Sequence, residues 1–207
     1  NGKIFLPEDV FSFNELVGNT TSSNGYKLAP IDPDDENDTI YGGGVSQVAS
    51  ALYYCALASE LEIIERENHK YAMDFFSIGL DAYTKWGDAD LRFRNNLEYP
   101  IQIEASASGG KVTIKIMGTS EKDYTVKLKT VVNGKESYST SYENKDSDNT
   151  EGYRDGQYIT KPYTGYTVTT YLCKYDAETN QQTTEDYLTQ STYDKRDGVI
   201  CKIVSNS

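Results

Sequence analysis

The sequence predicts an α+β protein: one principal helix packed on an antiparallel sheet, followed by a smaller all-β domain. Three observations carry this. A single long stretch, Val45–Ala58, repeats its apolar residues at helical spacing. Ile101–Ala107 and Val112–Met117 alternate apolar and polar residues across a Gly-Gly turn. Beyond residue 118 the chain turns tyrosine- and threonine-rich, with 11 of the 18 tyrosines there, and both residue types favour pleated, half-buried surfaces. The division is placed at 1–118 and 119–207. The first part carries 18 acidic against 9 basic side chains and the second 14 against 11.

In chain order, Phe11–Val17 reads as a strand or a single helical turn, and Asn19–Asn24 as a polar loop. The acidic stretch IDPDDENDTIYGGG at 31–44 reads as a long loop. In Val45–Ala58 the residues Val45, Val48, Ala49, Leu52, Cys55 and Ala56 fall on one helical face. Strands are expected at Leu61–Arg66, Leu80–Trp86 and Asp90–Asn95. In the second part, Tyr124–Val132 and Lys135–Tyr142 flank Asn133-Gly134, the strongest short hairpin signal. Glu143–Tyr158 is polar and turn-rich and reads as an exposed loop. Tyr166–Tyr175, Asp186–Tyr193 and Val199–Val204 complete the strands.

Composition excludes several classes. With 207 residues, 37% apolar and 12% aromatic, the chain has material for a real core. A net charge of −12 repels phosphate backbones, so no nucleic-acid partner is expected. No stretch approaches the apolar length of a membrane span. The N-terminus has no signal-peptide core, which fits a cytosolic protein or a piece of a longer one. The three cysteines cannot all pair internally. Cys55 reads as a buried small hydrophobe, and a Cys173–Cys201 disulfide stays open. With one histidine and no CxxC, no zinc site and no cofactor are expected. Asp32, Asp34 and Asp38 in the acidic loop are weak calcium candidates, lacking the central glycine and distal glutamate of an EF-hand; a solvated loop is the default.

The sharpest local feature is Gly42-Gly43-Gly44-Val45-Ser46-Gln47, which runs straight into the helix. It lacks the Lys and Ser/Thr of a phosphate-binding loop. It is a turn that lets another backbone or a ligand approach closely. Ser46 falls at a helix N-terminus, which favours developing negative charge. His69 and Asp81 follow in the order nucleophile, base, orienting carboxylate. In an acyl-transfer reading His69 takes the Ser46 proton, Asp81 fixes the imidazole tautomer, and the Gln47 backbone N–H helps hold the oxyanion. The plain alternative is a Ser cap and a structural histidine. Arg66, Arg92 and Arg94 pair with acids by default or line a carboxylate cleft. Tyr83, Trp86 and Phe93 are core by default or a sugar-stacking platform.

The first part resembles the VanW-like family. The resemblance rests on NGKIFLPEDVFSFNELVG, with Pro7-Glu8-Asp9 where the family has Pro-Gly-Glu, and on GYKLAP. It continues through YGGGVSQVASALYYCAL, LEIIERENHKY, IGLDA, DLRFRNNLEYPIQIEA and the closing hairpin, all in family order. Ser46 stands where the family commonly has Cys. The resemblance implies a cell-envelope domain without an established activity, extracellular and cell-surface associated, mostly in Gram-positive bacteria, with a small β-rich domain behind it. It also implies peptidoglycan or another surface polymer as partner. Three readings follow: a non-catalytic binding domain, a serine variant of a papain- or transglutaminase-like acyl-transfer enzyme, and a structural spacer.

Overall fold

The computed structural model describes residues 2–32, 35–119 and 121–205. In the first part the elements are β1 (Lys3–Phe5), β2 (Val10–Ser12), α1 (Phe13–Val17), β3 (Leu28–Asp32), β4 (Asp35–Tyr41), α2 (Val45–Ala58), β5 (Glu62–Glu65), β6 (Arg92–Arg94), β7 (Ile101–Ser108) and β8 (Lys111–Gly118). The second part holds β9 (Tyr124–Glu136), β10 (Thr140–Asp146), β11 (Tyr158–Thr160), β12 (Gly165–Asp176), β13 (Gln182–Tyr193) and β14 (Gly198–Val204).

This corrects the predicted fold class. The described chain is mainly β, with fourteen strands against two α-helices. No principal sheet carries the helix. The strands form five small sheets, ordered β1-β7-β8, β2-β6-β5, β3-β4, β13-β12-β9 and β10-β14-β11. In the first part, several strands run only three or four residues, so they form short separate ladders rather than one broad sheet under the helix.

Local corrections have local causes. Residues 31–44 are not all loop: β3 and β4 pair antiparallel, with Leu28 opposite Tyr41. Phe11–Val17 is both of its alternatives, a strand and then a helical turn whose Ser12 Oγ accepts the Glu15 N–H at 3.1 Å. Leu80–Trp86 is not a strand but an irregular segment with one isolated bridge, Glu67 to Tyr83, and another from Lys85 to Ala89. The Asn133-Gly134 hairpin does not form. β9 runs straight through it, and the register against β12 slips between Thr167 and Val168, so the Asn-Gly pair sits at a β-bulge. All three cysteines are free; Cys173 lies in β12 and Cys201 in β14, which belong to different sheets. The hairpin at Ser108–Lys111 forms as expected, with Gly109 and Gly110 at positive φ.

The continuous apolar core is built from the first part. Phe11 of β2 stacks on Phe93 of β6 with ring centroids 4.5 Å apart, and Phe5, Ile101 and Ile103 extend it. α2 contributes Ala49, Leu52, Tyr53, Ala56 and Leu57. Among the described residues no helix is long and apolar enough to cross a membrane.

α2 ends in a way that ties the two parts together. Leu61 N–H reaches the Ala56 carbonyl and Glu60 N–H the Leu57 carbonyl, the paired bonds of a Schellman stop. Glu60 takes the left-handed position (φ +63°), which ordinarily favours glycine. Its carboxylate is held there by Lys122, by Lys174 and by the Tyr124 hydroxyl at 2.7 Å. Burial pushes the Glu60 carboxyl up, but the hydrogen bonds from Lys122, Lys174 and Tyr124 outweigh it and bring it down to about 2. A carboxylate with a depressed folded pKa adds stability above its unfolded value that is lost as protons return. The stability difference between wild type and Glu60→Gln is therefore expected to be constant at neutral pH. It should shrink as pH falls from the ordinary 4.5 toward 2, as read by urea unfolding at each pH.

Candidate functional site

The triple glycine places the site. Gly42 has φ +75°, and a Cβ on Gly43 would lie 2.9 Å from the Pro30 carbonyl oxygen and 3.0 Å from that of Ala29. The close approach predicted for this turn is thus made by the backbone of β3. Gly44 is the N-cap residue of α2 and offers no side-chain cap. Ser46 is therefore inside the first turn and is not a capping serine.

Ser46 and Ser50, one turn apart, lace α2 to the segment 82–84. Ser46 Oγ accepts the Thr84 N–H at 3.3 Å and donates to the Thr84 carbonyl at 3.4 Å. Ser50 Oγ accepts the Ala82 N–H at 2.9 Å and donates to the Ser46 carbonyl at 2.7 Å. These side chains satisfy backbone groups that a neighbouring strand would otherwise have satisfied, which is why Leu80–Trp86 is irregular.

His69 and Asp81 are brought together. His69 Nδ1 lies 2.6 Å from Asp81 Oδ2, and the His69 backbone N–H donates to the same oxygen at 2.8 Å. Asp81 Oδ1 accepts from Arg66 Nη2 at 3.2 Å and from the Tyr193 hydroxyl. Burial pulls the Asp81 carboxyl up, but its bonds from the His69 ring, Tyr193, the His69 backbone and the Arg66 guanidinium win and hold it below its ordinary value. Asp81 is thus an ionised, acceptor-only group, which assigns the proton of a neutral His69 to Nδ1. Among the described residues the other nitrogen, Nε2, has no hydrogen-bond partner. The ring stands edge-on to Phe75 and Tyr83 at 5.2 and 5.6 Å.

Ser46 and His69 line one cavity of about 470 Å³. Its walls include Tyr41, Tyr71, Phe75, Tyr83 and Trp86, with Gly42 and Gly43 at the helix end. No hydrogen bond joins Ser46 to His69; Ser46 Oγ faces the Thr84 backbone instead. The Gln47 N–H donates to the Gly44 carbonyl at 3.2 Å. The structure thus brings His69 to Asp81 and puts Ser46 on the same cavity, with the serine hydroxyl and the Gln47 amide engaged elsewhere. The side-chain oxygen of Thr84, also on the cavity wall, is the one buried side-chain polar atom among the described residues without a partner.

Of the aromatic trio, Phe93 is core at 1% exposed, whereas Tyr83 and Trp86 line the cavity and Trp86 is 48% exposed. Arg66, Arg92 and Arg94 all pair with acids, Arg66 with Asp81 inside the fold and the other two with Glu65 and Glu62 nearer the surface. The calcium candidates fall outside what is described: Asp34 lies between the described segments, and only the backbone is described at Asp32 and Asp38. Among the described residues no group of His, Cys, Asp and Glu is arranged to hold a metal.

A many-sheeted β protein with a glycine-led helix, and an imidazole on one aromatic cavity backed by a buried carboxylate, is the class these features define. A family model described as VanW like protein matches residues 1–117, more than half of the chain, and the chain belongs to that family. It is 37% identical over 113 residues to the uncharacterized protein YoaR of Bacillus subtilis, covering 55% of this chain and 37% of that one. It is 26% identical over 134 residues to the vancomycin B-type resistance protein VanW of Enterococcus faecalis, covering 62% and 48%. The chain spans less than half the length of either relative. A solved structure titled HP0197-G5 aligns over 39% of this chain and 99% of its own, at 11% identity and a TM-score of 0.19, a likeness too low to carry an argument.

Proposed function

We propose that this chain is an extracellular cell-envelope domain that binds peptidoglycan or another surface polymer without cleaving it. The observation that carries this is the 470 Å³ cavity, which combines aromatic walls with a few fixed polar groups, the usual make-up of a ligand site. Trp86 and Tyr83 suit the faces of sugar rings, and His69 Nε2 suits a polar group of the ligand. The resistance protein among the relatives suggests the envelope as the setting. Binding is favoured over acyl transfer because a serine nucleophile needs its hydroxyl hydrogen-bonded to the base, and here Ser46 Oγ faces the Thr84 backbone and makes no hydrogen bond to His69.

Purified peptidoglycan is expected to retain the chain on co-sedimentation, and Trp86→Ala to weaken retention about tenfold, as loss of a central aromatic contact does. Trp86 is half exposed, so the variant should melt as wild type does. Retention no better than that of an unrelated acidic protein rejects the binding reading. The acyl-transfer reading draws on the 2.6 Å contact between His69 and Asp81. It differs in expecting Ser46→Ala to abolish release of wall fragments while retention persists.

A further inference from the structure

The family match ends at residue 117, yet the groups that fix the His69–Asp81 pair come from far beyond it. Tyr193, 112 residues after Asp81 and at the end of β13, donates to Asp81 Oδ1. The same hydroxyl accepts the Gly79 N–H at 2.6 Å. Ser191 Oγ accepts from Arg66 Nη1 at 2.8 Å, and Arg66 Nε donates to the Asp81 carbonyl at 2.7 Å. Thr170 of β12 donates to the Gly79 carbonyl at 2.9 Å. Gly79 has φ +86°, and a Cβ there would stand 2.8 Å from Thr170 Oγ1, so only glycine fits under β12. The segment carrying His69 is held in the same way. The Asp194 N–H donates to the Lys70 carbonyl at 2.8 Å, and Asn68 Nδ2 to the Thr192 carbonyl at 2.8 Å.

Both loops of the pair, 68–70 and 79–81, are therefore stapled to the β12–β13 ribbon. Ser191 is fully buried and Tyr193 is 3% exposed, so the contacts these two make lie inside the fold. A tail that merely followed the family region would have no need of three buried hydrogen bonds, Tyr193 to Asp81, Gly79 to Tyr193 and Thr170 to Gly79, behind its single imidazole.

We propose that the β12–β13 ribbon is a working part of the site, with Tyr193 a positioning residue. It fixes Asp81, which keeps the proton of neutral His69 on Nδ1 and leaves Nε2 as an acceptor for an N–H or O–H group of the ligand. The tautomer part of this stands on the network alone. The ligand part rests on the cavity being the binding site, and names its chemistry: an amide or a hydroxyl rather than a carboxylate.

The chain has one histidine, so its imidazole nitrogens can be read without assignment. The test is the ¹⁵N spectrum of the full chain in alkaline solution, where an imidazole is neutral. Wild type is expected to show mainly the Nδ1–H form. Tyr193→Phe keeps the ring and removes the donor to Oδ1. It should lower the ratio of Nδ1–H to Nε2–H, because Asp81, no longer held at Oδ1, is free to turn away from His69 Nδ1. Tyr187→Phe, an exposed position on the same strand, should leave the spectrum unchanged. Should Tyr193→Phe fail to fold, Ser191→Ala takes its place, with a ratio shift in the same direction. A wild-type spectrum dominated by Nε2–H, or variants that leave the ratio where it was, overturns the proposal. The spectrum needs no ligand, so failed retention on peptidoglycan rejects the binding reading and leaves the role of Tyr193 standing.

Discussion

Asp81→Ala is expected to destabilise the fold by about 3–5 kcal/mol, the range for breaking a buried ion pair from one side. Four donors converge on this carboxylate: the His69 ring and backbone, Arg66 and Tyr193. Alanine leaves all four without their acceptor. The heaviest loss is at Arg66, whose side chain is 6% exposed and would hold an uncompensated charge. Asp81→Asn should cost less, because it keeps one acceptor oxygen. Urea unfolding of the three chains measures this, and a cost for alanine below about 1 kcal/mol would mean that the network stabilises nothing. The same group makes the protein acid-sensitive. Its folded pKa is depressed, so its contribution is full above the ordinary carboxylate range and is lost as pH falls through the folded value.

How much of this was legible in the sequence differs from residue to residue. α2 was readable to its ends because six apolar positions recur at spacings of three and four, and three glycines precede them. The β7–β8 hairpin was readable because alternation and a Gly-Gly turn agree. The sheet count was not. Alternation tells which residues face inward along one strand, but not which strands share hydrogen bonds, and three-residue strands carry almost no period. Asn133-Gly134 shows how a strong local signal is overruled. β12 is long enough to pair with all of β9, and the extra residue is absorbed as a bulge. His69 and Asp81 were readable from chain order and residue type. Tyr193 left no signal, because one tyrosine among eighteen, 112 positions from its partner, is marked by nothing local. Trp86 and Tyr83 were ambiguous for a related reason. Aromatics on a strand are mostly core, and only the irregular path of 82–86, set by Ser46 and Ser50, turns these two toward the cavity.

The triple glycine supplies the second large effect, and it separates two meanings of one motif. Gly43→Ala is expected to cost about 1–3 kcal/mol, the range for forcing atoms into filled space. The new Cβ would sit 2.9 and 3.0 Å from two backbone carbonyl oxygens of β3, which cannot rotate aside as a flexible side chain would. Either β3 or the start of α2 must move. Because Tyr41, Gly42 and Ser46 on that junction line the cavity, retention on peptidoglycan should fall together with the melting temperature. Gly44→Ala is the control. Nothing lies within 4 Å of a Cβ there, and its φ of −90° suits any residue, so its stability should stay within about 0.5 kcal/mol of wild type. A turn that served a ligand rather than β3 would abolish the difference, leaving Gly43→Ala as stable as Gly44→Ala while retention was lost. Equal melting temperatures for the two variants would therefore move the role of Gly43 from the backbone of β3 to the ligand.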